Sequence, residues 1–240
     1  MITDVAKFPM RINKYLAYKN YCTRREADAL IAAGKVLING HRAKLGDQVG
    51  EADNVDVHFR TKQFRYFAYN KPRGVITHSP QLGEKEIRQA TSLTGVFPVG
   101  RLDKDSHGLI ILTDDGRITD KLLNPDYEHE KEYVVTVKEN LAANFKLRVE
   151  KGVHIEGPDR AGYTTKPCQV KILGEKKFSI TLTEGKKHQI RRMCAALGYV
   201  TSDLERTRIM NIKISGLKPG EHRALKGTEL ASFMQSLGLA

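Results

Sequence analysis

The chain has 240 residues, of which 40% are hydrophobic and 28% charged, a composition that excludes an intrinsically disordered protein and allows one or two globular domains. Lys and Arg number 40 against 28 Asp and Glu, so the formal net charge is +12, which points to a polyanionic partner, nucleic acid before an anionic membrane surface. The longest apolar runs are far shorter than the ~20 residues of a membrane-spanning helix, and the N-terminus has no apolar core of signal-peptide length. We therefore expect a cytoplasmic protein that does not act in a membrane.

Cysteines and histidines give no sign of a metal site. Cys22, Cys168 and Cys194 are far apart and odd in number, which indicates neither a disulfide framework nor a zinc site. The eight histidines are scattered, and His129-Glu130-Lys131-Glu132 lacks the second histidine of a zinc-protease helix. The sequence therefore predicts a protein of a reducing compartment that binds no metal.

Residues 10–57 predict a compact first module. Apolar residues recur near helical spacing over residues 10–18, and Thr23-Arg24-Arg25-Glu26 has the pattern of a capping box that begins a second helix, which ends at Gly34. Asn39-Gly40 between two extended runs is a strong sign of a β-hairpin, because both residues tolerate positive φ. The module is therefore expected to combine a helix pair with a small sheet.

This first module is strongly basic. Between residues 7 and 44, nine Lys and Arg stand against two acidic residues. Clustered cations next to a helix N-terminus form an arrangement that binds phosphate. A solvated basic surface explains the same charge equally well.

Three segments of the module resemble an S4 RNA-binding domain. They are Arg11-Ile-Asn-Lys14-Tyr-Leu, Thr23-Arg-Arg-Glu-Ala27 and Gly34-Lys-Val-Leu-Ile-Asn-Gly40. The resemblance implies a domain over residues 1–60 that grips structured RNA, followed by a linker at residues 61–66. The candidate RNA-binding residues in it are Arg11, Lys14, Arg24, Arg25 and Lys35.

Residues 67–240 predict a second, α+β domain. Strand-like segments outnumber helical ones and do not alternate regularly with them, which favours a mixed, mostly antiparallel sheet flanked by helices over a doubly wound fold. Glycine-rich phosphate loops of standard spacing are missing from the sequence, so we expect no nucleotide cofactor. The predicted strands are 66–69, 96–99, 109–112, 133–137, 168–173, 178–182 and 209–214, and the predicted helices are 118–123, 141–149, 187–197 and 228–237.

A polar loop in residues 97–109 joins two apolar runs and is bracketed by Gly100 and Gly108. Loops that rigid strands position are where catalytic groups concentrate. A nearby guanidinium favours the ionised form of a carboxyl group, which would keep Asp103 nucleophilic beside Arg101. A turn with an Asp–Arg surface pair explains the same residues.

Three further segments contain candidate residues. Lys71 lies in a Pro-Gly turn and could face a cleft or a phosphate. Tyr133 begins a strand, where its ring could pack against a flat base and its hydroxyl could reach a reacting group. The helix after Glu184 would direct Arg191 and Arg192 at different angles, one toward an aspartate and the other toward phosphate. The plainer explanations are a basic turn, a core tyrosine and a charged helix start.

Together these segments resemble the RsuA/RluB/RluE/RluF family of pseudouridine synthases over nearly all of residues 66–225. The shared motifs are Lys71-Pro72, Gly100-Arg-Leu-Asp103 with Gly108-Leu109, Lys131-Glu-Tyr133 and His188-Gln-Ile-Arg191-Arg192-Met193. The longer motifs at 100–106, 129–133 and 204–211 are most similar to the RluF-type branch, which modifies large-subunit (23S) rRNA. An N-terminal S4 domain is also typical of the family.

The resemblance implies an enzyme that isomerises uridine to pseudouridine in RNA and needs no cofactor. It makes Asp103 the nucleophile and Arg191 the cation that pairs with it. The resemblance also implies that Tyr133 packs against the base and takes part in proton transfer. It implies that Arg101 occupies the space that the flipped base leaves. The other RNA contacts that it implies in this domain are Lys71 and Arg192.

The implied partner is structured RNA, large-subunit rRNA in the first place and tRNA as an alternative, bound by a monomer. Two other classes stay open. An RNA-binding protein with an inactive catalytic domain would have Asp103 or Arg191 replaced, and both are present. A phosphoryl-transfer enzyme would use Asp103-Lys104-Asp105 with Mg²⁺, but its aspartates would follow an apolar strand directly, and Gly100-Arg101 intervenes.

Overall fold

The computed structural model describes residues 7–58, 63–156 and 162–239, and the chain forms two units, Met1–Phe64 and Arg65–Ala240. In the first unit, two short helices pack with two small sheets. The elements are β1 (Met10–Arg11), α1 (Ile12–Tyr18), α2 (Arg24–Ala32), β2 (Val36–Ile38), β3 (His41–Arg42), β4 (Gln48–Val49) and β5 (Val55–Val57). One sheet pairs β1 with β4, and the other has the order β3-β2-β5.

Local sequence signals explain much of this first unit. The capping box is formed: the Glu26 amide donates to the Thr23 hydroxyl and the Thr23 amide donates to the Glu26 carboxylate. Asn39 and Gly40 have φ values of 50° and 79°, as a tight hairpin requires. Met10 is buried as the helical spacing suggested, but it lies in β1 and not in α1.

The second unit is built on one large sheet. Its strands are β6 (Tyr66–Lys71), β7 (Phe97–Val99), β8 (His107–Thr113), β9 (Lys131–Val137), β10 (His154–Glu156), β11 (Gly162–Thr164), β12 (Gln169–Gly174), β13 (Lys177–Leu182), β14 (Thr201–Ile209), β15 (Ile212–Lys213) and β16 (His222–Ala224). Its helices are α3 (Ile87–Ala90), α4 (Ile118–Leu123), α5 (Phe145–Glu150), α6 (Gln189–Ala196) and α7 (Gly227–Ser236), with a 3₁₀ turn at Pro125–Tyr127.

The large sheet has the order β12-β13-β9-β14-β8-β6-β16, with β7 added to β8 and β15 to β14. The β14–β8 pair is parallel and its other strand pairs are antiparallel. The α+β class with a mixed, mostly antiparallel sheet is therefore confirmed. The largest core cluster lies where α5 and α6 meet the sheet, and Phe145 stacks edge-on against Phe178 with ring centroids 4.8 Å apart. Within the described part of the chain, none of the helices is long and apolar enough to cross a membrane.

Two predicted segments of this unit are wrong. Residues 209–214 do not form one strand, because β14 ends at Ile209 and a turn through Met210, with φ of 51°, leads into β15. The predicted helix 141–149 begins only at Phe145, since the Leu141 amide bonds the carbonyl of Glu175 instead of entering a helix.

The boundary between the units also differs from the predicted linker 61–66. Tyr66 already pairs with Thr113 in the sheet, and the Arg65 amide donates to the Asp114 carboxylate. Residues 59–62 lie outside the described residues.

Candidate active site

The polar loop predicted between two apolar runs connects β7 to β8, which form an antiparallel hairpin. Gly100 and Gly108 both have positive φ, 81° and 106°. At Gly108 the sheet leaves no room for a side chain, because a Cβ there would lie 2.4 Å from the Arg206 carbonyl oxygen of β14. This close approach places the start of β8, and with it the loop, directly against β14.

Backbone hydrogen bonds hold the loop in one conformation. The buried Thr77 hydroxyl both donates to the Leu102 carbonyl (2.9 Å) and accepts from the Leu102 amide (3.0 Å). On the far side of Asp103, the Gly74 amide donates to the Lys104 carbonyl at 2.8 Å, and the Ser106 amide donates to the Asp103 carbonyl at 3.1 Å. The Asp103 backbone is therefore fixed by bonds on both sides.

Two arginines from other elements also bind this loop through its carbonyls. The buried Arg206 donates to Leu109 (2.7 Å) and to Arg101 (3.3 Å). Arg191 of α6 donates to the Asp105 carbonyl at 3.2 Å. Side chains on a loop held in this way keep a defined orientation, which is what a catalytic group requires.

A cleft of about 420 Å³ opens beside the loop. Its walls carry Asp103 and Arg101 from the loop, Tyr133 from β9, and Glu184 and His188 from the segment between β13 and α6. Clefts of this size hold small ligands or parts of larger ones. The sheet therefore brings three widely separated motifs of the sequence to one place.

The two carboxylates of the cleft have different surroundings. Glu184 is 5% exposed and accepts hydrogen bonds from the Lys166 amide (3.0 Å), the Gln189 side chain (2.6 Å) and the Tyr163 hydroxyl. That hydrogen bond to the carboxylate, with burial, raises the pKa of Tyr163 to about 12. Asp103 has 38% of its side chain exposed to the cleft. Of these two groups, Asp103 is the one that a substrate can reach.

Asp103 pairs with His188 and not with Arg191. The His188 Nδ1 lies 3.4 Å from the Asp103 Oδ2, whereas no Arg191–Asp103 ion pair within 4.0 Å occurs among the described side chains. Arg191 instead bonds the carbonyls of Thr201 and Asp105 and the Ser106 hydroxyl. The predicted Arg191–Asp103 pair is therefore wrong for this structure, because α6 directs Arg191 toward the backbone of the loop.

Lys71 is wrongly predicted as an RNA contact. Its side chain is fully buried, and its ammonium donates to the carbonyls of Pro72 (3.0 Å) and Val75 (2.6 Å). Burial lowers the pKa of Lys71 to about 8, against an opposing effect of the Asp103 carboxylate. A phosphate cannot reach this amine, which holds the turn after β6.

The other candidates of this unit are accessible to different degrees. Arg101 is exposed at the cleft. Tyr133 is half-buried, packs against the core and lines the cleft. Arg192 is half-buried, donates to the Lys187 carbonyl at 3.1 Å and does not line the cleft.

Three residues that hold the site were not found from the sequence: Thr77, His188 and Arg206. Thr77 and Arg206 act through backbone groups of the loop; Arg206 stands within the quoted motif at 204–211, whereas Thr77 lies in none of the quoted motifs. His188 stands within the quoted motif before α6, so its place in that motif was the available signal.

In the first unit the predicted RNA-binding cations are all exposed. Arg24 and Arg25 form the first turn of α2, where free backbone amides add to the positive potential. The others of this group are Arg11, Lys14 and Lys35.

Comparisons with known proteins find matches to both units. A family model described as RNA pseudouridylate synthase matches residues 65–196, and one described as S4 domain matches residues 10–55. The dual-specificity RNA pseudouridine synthase RluF of Escherichia coli (strain K12) is 42% identical over 234 residues, which cover 94% of this chain and 79% of that protein. An uncharacterized RNA pseudouridine synthase of Aquifex aeolicus (strain VF5) is 35% identical, with 96% of each chain covered.

A crystal structure of a pseudouridylate synthase has a similar fold, with a TM-score of 0.68 and 29% identity over 95% of this chain and 99% of that one. Both resemblances that the sequence motifs indicated are confirmed by these matches. The chain therefore belongs to the RNA pseudouridylate synthase family, with an S4 domain ahead of its synthase domain.

Proposed function

We propose that this protein converts a uridine of large-subunit rRNA to pseudouridine, with Asp103 as the nucleophile. The observation that carries the proposal is the placement of Asp103: an accessible carboxylate on a loop that is bonded on both sides, in a cleft that Tyr133 also lines. Relatives named RluF, which are dual-specificity RNA pseudouridine synthases, support the RNA substrate.

The reaction balances as an isomerisation. The N1–C1′ bond of uridine breaks, C5 bonds to C1′, the proton of C5 is lost and N1 gains one. The Asp103 carboxylate adds to the nucleotide, at C1′ or at C6, and leaves again when the product forms. Tyr133 stacks on the base, and its hydroxyl takes part in the proton transfer.

Access to the target uridine requires that the base leave its stack. Arg101 stands exposed at the rim of the cleft, two residues before Asp103, and is placed to fill the space that the flipped base vacates. Lys186 and Lys187 also line the cleft and supply positive charge for the phosphates around that base.

The first unit supplies affinity for folded RNA. Its exposed cations Arg11, Lys14, Arg24, Arg25 and Lys35 contact phosphates without reading sequence, which makes binding salt-dependent. We place the protein in the cytoplasm as a monomer. Because its relatives are named dual-specificity enzymes, tRNA is the second substrate to test.

Asp103→Asn tests the assignment of the nucleophile. Asn has nearly the same size and no negative charge, so tritium release from 5-³H-uridine RNA under single-turnover conditions should cease while RNA binding persists. Asp105→Asn is the matched control, because it removes the same charge two residues away. It keeps the backbone carbonyl of residue 105, which accepts a hydrogen bond from Arg191. Tritium release by Asp103→Asn near the wild-type rate would refute the assignment.

Two further measurements separate the alternatives. Activity in EDTA on prefolded RNA excludes a phosphoryl-transfer reaction that depends on Mg²⁺. Pseudouridine mapping of rRNA and tRNA from cells with and without the protein identifies the substrate, and a change confined to tRNA would contradict the rRNA proposal.

A further inference from the structure

His188 occupies a place in the cleft that the mechanism above does not use. Its Nδ1 faces the Asp103 Oδ2 at 3.4 Å, and 45% of its side chain is exposed to the cleft. Arg101, Lys186 and Lys187 also line the cleft, but among the described side chains His188 alone lies within ion-pair distance of Asp103.

The backbone of His188 adopts a conformation that side chains usually avoid. Its φ is 53° and its ψ is 27°, in the left-handed region, directly before α6. Residues held in this region concentrate at functional sites, where surrounding structure compensates the cost. The imidazole that lines the cleft is therefore carried by a backbone in a rarely populated conformation.

A buried network compensates this conformation. The Gln189 side chain donates to the buried Glu184 at 2.6 Å and accepts from the Lys186 amide at 2.8 Å. The His188 carbonyl accepts from the Arg192 amide at 3.0 Å and begins the ladder of α6. Bonds on both sides of His188 thus hold its backbone in this conformation.

We propose that His188 is a positioning residue for Asp103, a role that rests on the proposed function. With its ring proton on Nδ1, the imidazole that lies 3.4 Å from Oδ2 holds that oxygen when substrate is bound, so that the other carboxylate oxygen, Oδ1, is directed at the substrate. Arg191 acts on the same loop differently, through the carbonyl of Asp105 and the hydroxyl of Ser106. The carboxylate is thus oriented by the histidine, and the backbone below it by the arginine.

His188→Gly is the test, because glycine adopts the left-handed conformation without strain and leaves an open space that a small molecule can enter. Loss of orientation at a reacting group costs on the order of 10²-fold in rate. We expect single-turnover tritium release to be slower by that order. The RNA dissociation constant should stay within about twofold of wild type, well below the tenfold change that ~1.4 kcal/mol of lost binding would cause. Added imidazole should restore part of the rate, and thiazole, which has no N–H, should not.

Two variants serve as controls. His188→Asn tolerates the same backbone conformation and keeps an N–H donor, so it should retain more activity than His188→Gly. Lys187→Gln removes a neighbouring cation of the same cleft, and it should weaken RNA binding more than it slows the saturated reaction.

The outcomes distinguish the two proposals. If wild type releases tritium, Asp103→Asn does not, and His188→Gly reacts at the wild-type rate, the positioning role is refuted and the proposed function stands. A rate loss that imidazole does not restore, together with an equal loss of RNA affinity, makes His188 an RNA contact and also refutes it. An inactive wild type contradicts the proposed function, and with it this inference.

Discussion

Gly108→Ala should lower the free energy of unfolding of the synthase unit by more than the backbone strain of a positive φ alone would. Gly108 lies in β8 between Lys71 of β6 and Arg206 of β14. A Cβ there would meet the Arg206 carbonyl oxygen at 2.4 Å and the Arg206 amide nitrogen at 2.7 Å. Both contacts are backbone atoms of a central strand, so relief requires that two strands of the sheet separate.

Gly198 provides the matched control for the magnitude. It follows α6 with φ of 86°, and a Cβ there would meet nothing within 4 Å. Gly198→Ala should therefore cost only the backbone strain, about 1–2 kcal/mol. Gly108→Ala adds overpacking of about 1–3 kcal/mol, which gives about 2–5 kcal/mol in total.

Urea unfolding followed by far-UV circular dichroism measures the two free energies of unfolding, and single-turnover tritium release measures the site. Because Gly108 sets the distance between the loop and β14, we expect Gly108→Ala to slow the reaction of the protein that remains folded. Gly198→Ala should not. Equal destabilisation by the two variants would refute the argument that close strand contact, and not φ alone, requires glycine at position 108.

The remaining predictions concern separate parts of the molecule. Tyr133→Phe should lower the single-turnover rate by about 10²–10⁴ while RNA affinity stays constant; a near-normal rate would leave Tyr133 a packing role. Charge reversal at Arg24 and Arg25 should weaken RNA binding and reduce its dependence on salt concentration, with less effect on the saturated rate, and an unchanged salt dependence would place the RNA surface elsewhere. The pKa of Lys71 is about 8 in the folded protein and 10.5 in the unfolded chain. Burial of the charged amine therefore lowers the free energy of unfolding by its full amount below pH 8, and this destabilisation decreases as the pH rises from 8 to 10.5. The stability of wild type relative to Lys71→Met should therefore increase by about 1.4 kcal/mol per pH unit in that window, and a flat difference in urea unfolding would contradict it.

Local sequence signals are sufficient to predict an element where the type of one or two residues determines the backbone conformation. The capping box at Thr23 and the hairpin at Asn39-Gly40 depend on groups within four residues of each other. Ile190, Met193 and Cys194, three and four residues apart along α6, lie on its buried face, as apolar residues at helical spacing do. Such features need no knowledge of the rest of the chain.

The strand β14 shows where the pattern of apolar residues does not suffice. Its sequence, TSDLERTRI, has no hydrophobic run, and its buried residues are Leu204, Arg206 and Ile209. A register shift between Arg206 and Arg208 interrupts the alternation of inward and outward side chains. The strand is buried because β8 and β9 lie on either side of it, and that arrangement is not encoded in its own residues.

Charged residues of the site were predicted by type but not by environment. Lys71 and Arg101 are both basic residues in the sequence, yet Lys71 is fully buried and Arg101 is exposed at the cleft. The difference arises from the sheet, because Lys71 is the last residue of β6 and pairs with Gly108, whose missing side chain brings the neighbouring strands close. The Lys71 ammonium bonds the backbone carbonyls of Pro72 and Val75, so it holds the turn after β6 and does not contact the RNA.

The residue that lies beside Asp103 is the feature hardest to predict from the sequence, because several buried hydrogen bonds surround it. Gln189 donates to the buried Glu184 and accepts from the Lys186 amide, and His188 next to it has the left-handed conformation in which its ring lies near the aspartate. Arg191, three residues further along, then points at the backbone of the loop and not at the carboxylate. A sequence motif identifies the residues that come together at a site. It does not show which of them contacts the reacting group, because that depends on buried hydrogen bonds to residues outside the motif. Added imidazole is accordingly a test of this assignment: it should restore part of the rate of His188→Gly and none of the rate of Arg191→Ala, whose missing group is a guanidinium, and no rescue of His188→Gly would contradict it.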